Sequence, residues 1–377
     1  MSERPPRTRR WAGTARRARP APSQDPIAAL VQLQRRHIER SSPLYAAVLD
    51  AVLADVAAGG VCRALLEPHR GDPFGSALIL RFLGAAHRLV LSGSAPDLAA
   101  HYPSAGGTPG AHLGTTFLAT VSREAEAIAQ GLHVPVQTNE PGRSAALLGG
   151  YLAVAGRRPR LPLRVLEVGA SAGLNLRWDR FRYEAAPSAF GPAESPVRFV
   201  EPFAGPPPHL PASVEVESRR GCDPNPIDAT TEQGEQLLRS FVWPDQTDRL
   251  LRLAAAIEVA RSVPAIVDRA NAATWVAEQL EERRPGVATV VVHSVVLQYL
   301  DEPERARLRN TIVDAGHRAT ADAPLAWLTM EPAGDHAEVH LTVWPARAGR
   351  RPGAGSGGEG RLLATSAYHG PPVRWVG

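Results

Sequence analysis

One segment constrains the fold of this chain more than any other: the run LPLRVLEVGASAGLN at residues 161–175. Its residues 163–168 have the length and composition of a buried parallel strand. Gly169, Ser171 and Gly173 follow, and small residues of this kind let the backbone approach a ligand closely. The sequence therefore predicts a strand, a glycine loop and the start of a helix whose free N–H groups face a nucleotide-type cofactor.

Strands and helices alternate through the second half of the chain, which is typical of a parallel sheet with helical crossovers. The clearest later strand is 287–293, because its residues are β-branched and nearly continuous. The other predicted strands are 214–220, 265–267, 325–330, 338–344 and 362–368, with helices at 232–241, 245–261, 271–284 and 303–319. The last two strands flank a glycine-rich loop, 349–360, and predict an antiparallel C-terminal hairpin. The expected fold class is α/β, with a seven-stranded, Rossmann-like, mostly parallel sheet and an inserted hairpin near 180–203.

The first half is predicted to be helical, with no convincing strand before residue 161. Ser42 and Pro43 are typical of an N-cap and a first helical residue, and the pair Gly59-Gly60 is typical of the end of that helix. Further helices are predicted at 75–91, 110–131 and 143–155. The chain thus divides into a disordered Arg/Pro-rich tail (1–25), a helical domain (26–155) and a Rossmann-like cofactor-binding domain (156–377).

Charge is concentrated in the tail, where residues 1–20 carry a net +6 and leave −2 for the rest of the chain. A nucleic-acid-binding fold normally carries its basic patch on the folded part, so we expect at most weak nucleic-acid contacts by the tail. No apolar run is long enough for a membrane span. Cys62 and Cys222 form neither a disulfide framework nor a zinc site, and no metal is expected. These features favour a cytoplasmic protein that acts on a small molecule.

Three chemistries use glycine loops of this kind. Binding of S-adenosylmethionine (SAM) favours an acid followed by alternating glycines; Glu167, Gly169 and Gly173 match, and Ser171 replaces the middle glycine. The dinucleotide loop GxGxxG fits less well, because Ser171 and Leu174 occupy two of its glycine positions. The hydrolase elbow GxSxG matches residues 169–173 literally. A glycine-rich turn without a ligand is the remaining interpretation.

The elbow would need a catalytic triad, and the chain order permits Ser171, Asp268 and His369. An α/β-hydrolase also needs several strands and an oxyanion loop before its nucleophile, and neither is visible upstream of residue 161. SAM binding is therefore the favoured interpretation. A serine hydrolase and a non-catalytic cofactor-binding protein are the alternatives.

Polar residues at the predicted strand ends are candidate ligand contacts, since ligands of such sheets bind at the carboxyl ends of the strands. Asp223 could bond ribose hydroxyls or cap a local turn, and Asn271 could contact adenine or cap the next helix. His293 could be a general base or a buried structural histidine, and Tyr299 follows it by about one turn.

The motif QTNEPGR at residues 137–143 stands just before the helix that leads into the central strand. Asn139 and Glu140 could orient a substrate, and Arg143 could hold a carboxylate or phosphate bidentately. The alternative is a helix N-terminus, in which Asn139 is the cap and Glu140 favours the helix dipole.

Taken together, these motifs resemble a bacterial family, common in actinobacteria, that is known as a domain of unknown function and is similar to divergent SAM-dependent methyltransferases. The segments that carry the resemblance are QTNEPGR (137–143), LEVGASAGLNL (166–176) with WDR (178–180), residues 221–228, VWPDQ (242–246), HS (293–294) with QYL (298–300), and HG (369–370) with RW (374–375). It covers about 26–377 and departs from the expected Gly-Asp-Ala at Ala270-Asn271-Ala272, which puts an amide where a carboxylate is expected.

The resemblance implies a methyltransferase-type sheet and SAM as the suspected cofactor. Residues Glu167, Gly169, Ser171 and Gly173 would then hold the methionyl part, Asp223 the ribose and Asn271 the adenine. His293, Glu140 or Tyr299 would handle the substrate proton, and Asn139 and Arg143 would bind the substrate.

Overall fold

The computed structural model describes residues 25–211, 213–346 and 358–376. The predicted tail at 1–25 lies almost wholly outside these residues, as does most of the glycine-rich loop predicted at 349–360.

The first part of the chain is helical, and no strand occurs between residues 25 and 160. Its helices are α1 (Pro26–Ile38), α2 (Pro43–Ala58), α3 (Val61–Leu66), α4 (Leu78–Leu91), α5 (Pro96–Ala99), α6 (Leu113–Arg123), α7 (Ala125–Gly131) and α8 (Arg143–Ala155). The predicted start of α2 is confirmed, because Ser42 accepts a hydrogen bond from the Tyr45 N–H and Gly59 ends the helix with a φ of 72°. Helices α1 to α7 share one apolar core.

The second part contains the strands and the remaining helices. Its elements are β1 (Leu163–Val168), β2 (Arg182–Ala185), β3 (Ser188–Phe190), β4 (Arg198–Val200), β5 (Val216–Asp223), α9 (Glu232–Ser240), α10 (Thr247–Ser262), β6 (Ile266–Arg269), α11 (Ala272–Leu280), β7 (Ala288–Ser294), α12 (Glu302–His317), β8 (Leu325–Ala333), β9 (His336–Trp344), β10 (Glu359–Ala367) and β11 (Gly370–Trp375). The inserted hairpin is confirmed as β2 and β3, which form a small sheet with β4.

The main sheet has eight strands in the order β11-β10-β9-β8-β7-β1-β5-β6. The five strands from β8 to β6 run parallel, and β9, β10 and β11 follow as antiparallel neighbours. The chain leaves β1 towards β5 on one side and later returns to β7 on the other side. The strand order therefore reverses between β1 and β7, and such a reversal opens a crevice at the carboxyl ends of the strands.

Helices cover both faces of this sheet, so the α/β class with a mostly parallel sheet is confirmed. Helices α8 and α10 pack on one face in the largest apolar core, and α11 and α12 pack on the other. The domain boundary at residue 155 stays a prediction; α8 itself packs on the sheet rather than in the core of the first seven helices.

The prediction of seven strands is wrong, because residues 370–375 form an eighth strand, β11. The sequence does not predict this strand, because Pro371 and Pro372 have no backbone N–H to donate to a neighbouring strand. The position of β11 at the edge of the sheet resolves the conflict, because an edge strand needs hydrogen bonds on one side only.

A helix does begin directly after the glycine loop, as the sequence predicts, but it is a 3₁₀ helix and not an α-helix. The loop leads into a 3₁₀ helix, Leu174–Arg180, which has a non-helical residue at Arg177. Two contacts favour this shape: Arg177 donates to the carbonyl of Gly173, and Trp178 stacks on Tyr151 with ring centroids 4.2 Å apart.

No single helix in the described residues is long and apolar enough to cross a membrane. Two helical segments, Pro43–Ala58 and Val61–His69, pass that test only as a pair bent by 87°.

Candidate functional site

The candidate site is a cavity of about 270 Å³ at the carboxyl ends of β1, β5, β6 and β7. It lies where the strand order reverses, which is the usual ligand position in open parallel sheets. Its wall is formed by Pro135, Val136, Gln137, Thr138, Arg143, Val168, Gly169, Ser171, Cys222, Asp223, Pro224, Asn225, Ala270, Asn271, Ala272, Ser294, Val295, Val296, Tyr299 and Leu300. Each of these four strands therefore contributes the loop that follows it.

The loop after β1 has an unusual backbone. Gly169 and Gly173 both have a φ of 67°, and Ser171 has a φ of 54° although it is not glycine. A Cβ atom on Gly169 would lie 2.5 Å from Cγ2 of Val296, which belongs to the loop after β7. Glycine is therefore required at position 169 both by its φ and by the close approach of the two loops.

Most amides of this loop already have partners, in contrast to the expectation of free N–H groups. The N–H of Ser171 donates to Oδ2 of Asp223 (2.9 Å), and that of Leu174 donates to Oδ1 of Asn139 (2.8 Å). The N–H groups of Ala170 and Gly173 donate to backbone carbonyls. The loop shapes the pocket floor, but these four amides are not available to an anion.

Gln137 bonds both the loop after β1 and the end of β5. Its Oε1 accepts a hydrogen bond from Oγ of Ser171 (2.5 Å), and its Nε2 donates to Oδ1 of Asp223 (3.5 Å) and to the carbonyl of Asn225 (3.2 Å). Residues 135–140, the strap, have no helix or strand of their own. The strap is held across one side of the pocket by these side-chain bonds.

Arg143 brings a buried positive charge to the pocket wall. Its Nε donates to the carbonyl of Tyr368 (3.1 Å) and its Nη1 to the carbonyl of Ser294 (3.0 Å). Burial lowers the pKa of Arg143, while Glu140 opposes that shift from a distance. No carboxylate of the described residues forms an ion pair with this guanidinium. The site can therefore offer a cation to a ligand carboxylate.

The loop after β7 is fixed by a half-buried carboxylate, that of Glu331. Oε1 of Glu331 accepts from Nδ1 of His293 (2.7 Å) and from the N–H of Val296 (3.0 Å), and Oε2 accepts from the N–H of Leu297 (3.3 Å). Nε2 of His293 accepts from the indole of Trp327 (3.1 Å). His293 is fully buried with both ring nitrogens engaged, so it offers neither nitrogen to the pocket.

The same loop contains a strained residue. Val295 has a φ of 57°, which is a rare conformation for a β-branched side chain. Strain of this kind persists only where the surroundings enforce it, and it concentrates at functional sites. Here the bonds from Glu331 to the next two amides enforce it, and Val295 and Val296 both line the pocket.

Glu140 lies behind the strap in an ion pair. Its Oε2 accepts from Nε of Arg249 (2.6 Å), and its Oε1 accepts from the N–H of Gly142 (2.9 Å). Burial acts in the opposite direction, but Arg249, His369 and these bonds together lower the pKa of Glu140. Glu140 is therefore ionised and bound within the protein, outside the pocket wall.

Glu167 is buried on the other face of β1 from Leu166 and Val168. Burial raises its pKa to about 8, against the opposing effect of Arg143 and Arg177. Its Oε2 atom has no hydrogen-bond partner among the described residues. Burial therefore favours the neutral form of this carboxyl group, which does not line the pocket.

The structure brings six of the predicted site residues into the pocket wall: Gly169, Ser171, Asp223, Asn271, Arg143 and Tyr299. Asn271 is also the N-cap of α11, as the alternative interpretation expected. The other five, Glu167, Gly173, Asn139, Glu140 and His293, do not line this pocket. Their predicted roles stay predictions.

The geometry around Ser171 does not form a triad. Its hydroxyl donates to Gln137, and no described histidine is bonded to it. Asp268 is paired with Arg220 and accepts from the indole of Trp275, while His369 lies near Glu140.

Sequence reasoning missed Gln137, Cys222, Asn225 and Glu331 as individual residues. The first three lie inside motifs that were singled out as segments, at 137–143 and 221–228. Burial raises the pKa of Cys222 to about 12, so its thiol is inert. No sequence pattern marks Glu331 as a site residue. It occurs in an ordinary strand, and its bonding partners His293, Val296 and Leu297 are distant in sequence.

These features define an α/β protein with a ligand-sized pocket at the switch point of its parallel sheet and a helical N-terminal part. The chain belongs to the family described as "Uncharacterized protein conserved in bacteria (DUF2332)", whose model matches residues 28–375. No curated protein and no solved structure matches the chain.

Proposed function

We propose that this protein is a SAM-dependent methyltransferase of small molecules. The observation that carries the proposal is the pocket walled by the loops after β1, β5, β6 and β7. The order β6-β5-β1-β7-β8 equals the order 3-2-1-4-5 of Rossmann-type sheets, whose nucleotide ligands lie at this point. The resemblance of the sequence motifs to divergent SAM-dependent methyltransferases selects SAM among such ligands.

The pocket fits an adenosyl ligand in size and in polar groups. Its volume of about 270 Å³ is close to the lower end of the roughly 300–1,000 Å³ usual for small-molecule sites. Arg143 would bind the amino-acid carboxylate of the cofactor, and Asn225 and Asn271 would bond the ribose and adenine edges. Asp223 would act mainly by holding the loop after β1, because Ser171, Asn225 and Gln137 already donate to its carboxylate.

SAM, when bound, supplies an activated methyl group, so the protein mainly has to orient the acceptor and exclude water. The strap and the loop after β7 both line the pocket and would do both. Tyr299 is 55% exposed at the mouth of the pocket and is the side chain best placed to contact an entering acceptor.

The test is thermal unfolding of the full chain with SAM, S-adenosylhomocysteine, NAD or NADP. A ligand at 100 times its Kd stabilises a folded protein by about 2.7 kcal/mol, so SAM and S-adenosylhomocysteine should raise the Tm. Gly169→Ala should remove this shift, because its Cβ would lie 2.5 Å from Cγ2 of Val296 and would displace this part of the pocket wall. Gly59→Ala is the matched control, since it has a similar φ of 72° and nothing within 4 Å of the new atom.

A second variant keeps the test valid in the event that Gly169→Ala does not fold. Tyr299→Ala changes an exposed side chain at the pocket mouth and should fold normally while weakening the shift. The proposal fails if neither SAM nor S-adenosylhomocysteine shifts the Tm, if only the dinucleotides do, or if Gly169→Ala folds and keeps the full shift.

A further inference from the structure

Gln137 differs from the other residues of the pocket wall, because its side chain is bonded as a ligand would be. It is 8% exposed and lines the pocket together with Ser171 and Asp223. Its carboxamide oxygen accepts from Oγ of Ser171 (2.5 Å), and its nitrogen donates to Oδ1 of Asp223 (3.5 Å) and to the carbonyl of Asn225 (3.2 Å). One planar group therefore accepts from the loop after β1 and donates to the end of β5.

Asp223 has the place in the chain of an acid that binds ribose. In parallel sheets that bind nucleotides, an acid downstream of the glycine loop bonds to a ribose hydroxyl. Asp223 ends β5, the neighbour of β1. A carboxylate has about four acceptor positions, and the N–H of Ser171 (2.9 Å), the N–H of Asn225 (2.8 Å) and the amide of Gln137 take three of them. The two hydroxyls of a ribose need two positions, so one present donor has to leave.

Two of these three donors are backbone groups in fixed loops. The residue that carries the first, Ser171, also accepts a hydrogen bond from the N–H of Ile227 through its carbonyl (3.2 Å). The second donor, Asn225, stands between Pro224 and Pro226, and proline restricts the backbone on both sides of it. Neither N–H can turn away from Asp223 without a rearrangement of its loop.

Gln137 is the donor that can leave. It reaches Asp223 through a flexible side chain, and its bond is the longest of the three. The strap has two other attachments beyond this residue: Asn139 accepts from an amide of the loop after β1 (2.8 Å), and Glu140 is paired with Arg249 (2.6 Å). The side chain of Gln137 can therefore move while the second half of the strap stays in place.

Two adjacent ribose hydroxyls can make the same bonds as the amide of Gln137. A hydroxyl donates one hydrogen bond and also accepts, so one hydroxyl can accept from Oγ of Ser171 while its neighbour donates to Asp223. An O–H donor approaches a carboxylate to about 2.5–2.7 Å, which is closer than the 3.5 Å of the present amide. Exchange of the amide for a diol therefore keeps every donor and acceptor satisfied.

We propose that Gln137 occupies the ribose position of the pocket and is displaced from Asp223 and Ser171 by the hydroxyls of a bound nucleoside. Gln137 is then a specificity-determining residue, because it reduces the net gain in affinity from the ribose hydroxyls. The identity of the ligand as a nucleoside rests on the proposed function. The exchange of donors rests on the bonds of Asp223 alone.

The test compares adenosine with 2′,3′-dideoxyadenosine, which lacks both hydroxyls, by titration calorimetry of the full chain. The variant is Gln137→Ala, and Gln130→Ala is the matched control, because Gln130 is exposed on α7 and does not line the pocket. Gln137→Leu is a second variant that removes the amide but keeps a side chain of similar size. Both variants at position 137 retain the bonds of Asn139 and Glu140, so we expect them to fold.

In the unchanged protein and in Gln130→Ala, the two nucleosides should bind with similar affinity, because the hydroxyls replace a bond that Gln137 already makes. In Gln137→Ala and Gln137→Leu, adenosine should bind roughly tenfold more tightly than 2′,3′-dideoxyadenosine, as expected for one hydrogen bond to a charged group. If Gln137 only held the strap, its removal would weaken both nucleosides by the same factor.

NMR of the unchanged protein tests the same displacement without any variant. With ¹⁵N in the glutamine side chains, adenosine should shift one amide signal much further than 2′,3′-dideoxyadenosine does. Of the described glutamines, only Gln137 lines the pocket, so a single signal is expected to respond. Should neither variant fold, this comparison decides alone.

The inference is overturned if adenosine does not bind at millimolar concentration, if the ratio of the two affinities is the same in Gln137→Ala and Gln130→Ala, or if both nucleosides shift the glutamine signal equally. A SAM-induced rise in Tm without a change in this ratio would refute the role of Gln137 and leave the proposed function standing. The expected change in ratio without any SAM-induced rise would support the nucleoside site and refute SAM as the cofactor.

Discussion

Glu167 lies at the carboxyl end of the central strand with one carboxylate oxygen buried and unpaired. Burial raises its pKa to about 8; Asp223 adds to this effect, and Arg143 and Arg177 oppose it. The unfolded chain releases this proton near pH 4.5, the ordinary value for a glutamate. Between these two pH values the folded state binds one more proton than the unfolded state, so stability from this group is complete below about pH 4.5 and is lost as pH rises towards 8.

We therefore predict that Glu167→Gln makes folding stability less dependent on pH. Gln has the shape of a protonated glutamate and cannot ionise, so the variant should match the unchanged protein at pH 5 and be more stable at pH 8. The slope removed is at most about 1.4 kcal/mol per pH unit. Urea unfolding at pH 5, 6.5 and 8 measures it, and equal slopes in both proteins would show that Glu167 is ionised when folded.

Gln137 illustrates why single residues of the site were hard to assign. The motif QTNEPGR marked the correct segment, but its bonds to Ser171, Asp223 and Asn225 join positions up to 88 residues apart. Local patterns carry no information on which distant groups a side chain will meet. The same limit applies to His293, whose strand-end position was predicted correctly but whose partners, Glu331 and Trp327, come from a neighbouring strand.

At the scale of elements, the loop after β7 depends on β8. Glu331 of β8 accepts three hydrogen bonds, two of them from consecutive amides next to the strained Val295. We predict that Glu331→Gln destabilises the protein by about 1–3 kcal/mol, because an amide supplies one acceptor oxygen and turns an N–H₂ group towards donors. Hydrogen exchange at Val296 and Leu297 should become faster, which mass spectrometry of the peptide covering this loop can measure.

Glu338→Gln is the matched control for that experiment. Glu338 stands directly opposite Glu331 in the β8–β9 pair, but it is more exposed and bonded to His340. Exposed pairs of this kind contribute little to stability. If Glu338→Gln and Glu331→Gln had equal effects on exchange in the loop after β7, the bonds from Glu331 would not be what fixes that loop.

The elements themselves were predictable to the extent that local patterns determine them. Strand β1 is mostly apolar and strand β7 has a β-branched run, and the sequence predicts both within one residue of their bounds. The 3₁₀ helix after the glycine loop could not be predicted, because it depends on Asn139 occupying the amide of Leu174 and on Trp178 stacking against α8. Strand β11 could not be predicted, because its two prolines are compatible only with a strand at the edge of a sheet. Which strand lies at the edge depends on the order of all strands in the sheet, and the local sequence does not contain that order.

At the scale of the whole molecule, the candidate pocket depends on how the helical part sits against the sheet. The strap forms part of its wall, and Arg249 holds the strap through Glu140. Asp245, in the segment between α9 and α10, makes the bonds that reach α2. Its Oδ1 accepts from Oγ of Ser42 (2.6 Å), and its Oδ2 accepts from the N–H of Leu44 (3.1 Å). Asp245 therefore joins the start of α2 in the helical part to the α/β part.

We predict that Asp245→Ala lowers the free energy of unfolding by about 3–6 kcal/mol, because each of the two hydrogen bonds to its carboxylate contributes roughly 1.5–3 kcal/mol. Because these bonds join the two parts, the loss should appear in both, and tryptophan fluorescence and far-UV circular dichroism should report one coincident urea transition at a lower midpoint. Asp248→Ala, at an exposed acid in the first turn of α10, is the control and should change stability by less than about 1 kcal/mol. Two separate transitions in the unchanged protein would mean that the helical part folds independently. An Asp245→Ala effect no larger than that of the control would mean that the bonds from Ser42 and Leu44 do not hold the two parts together.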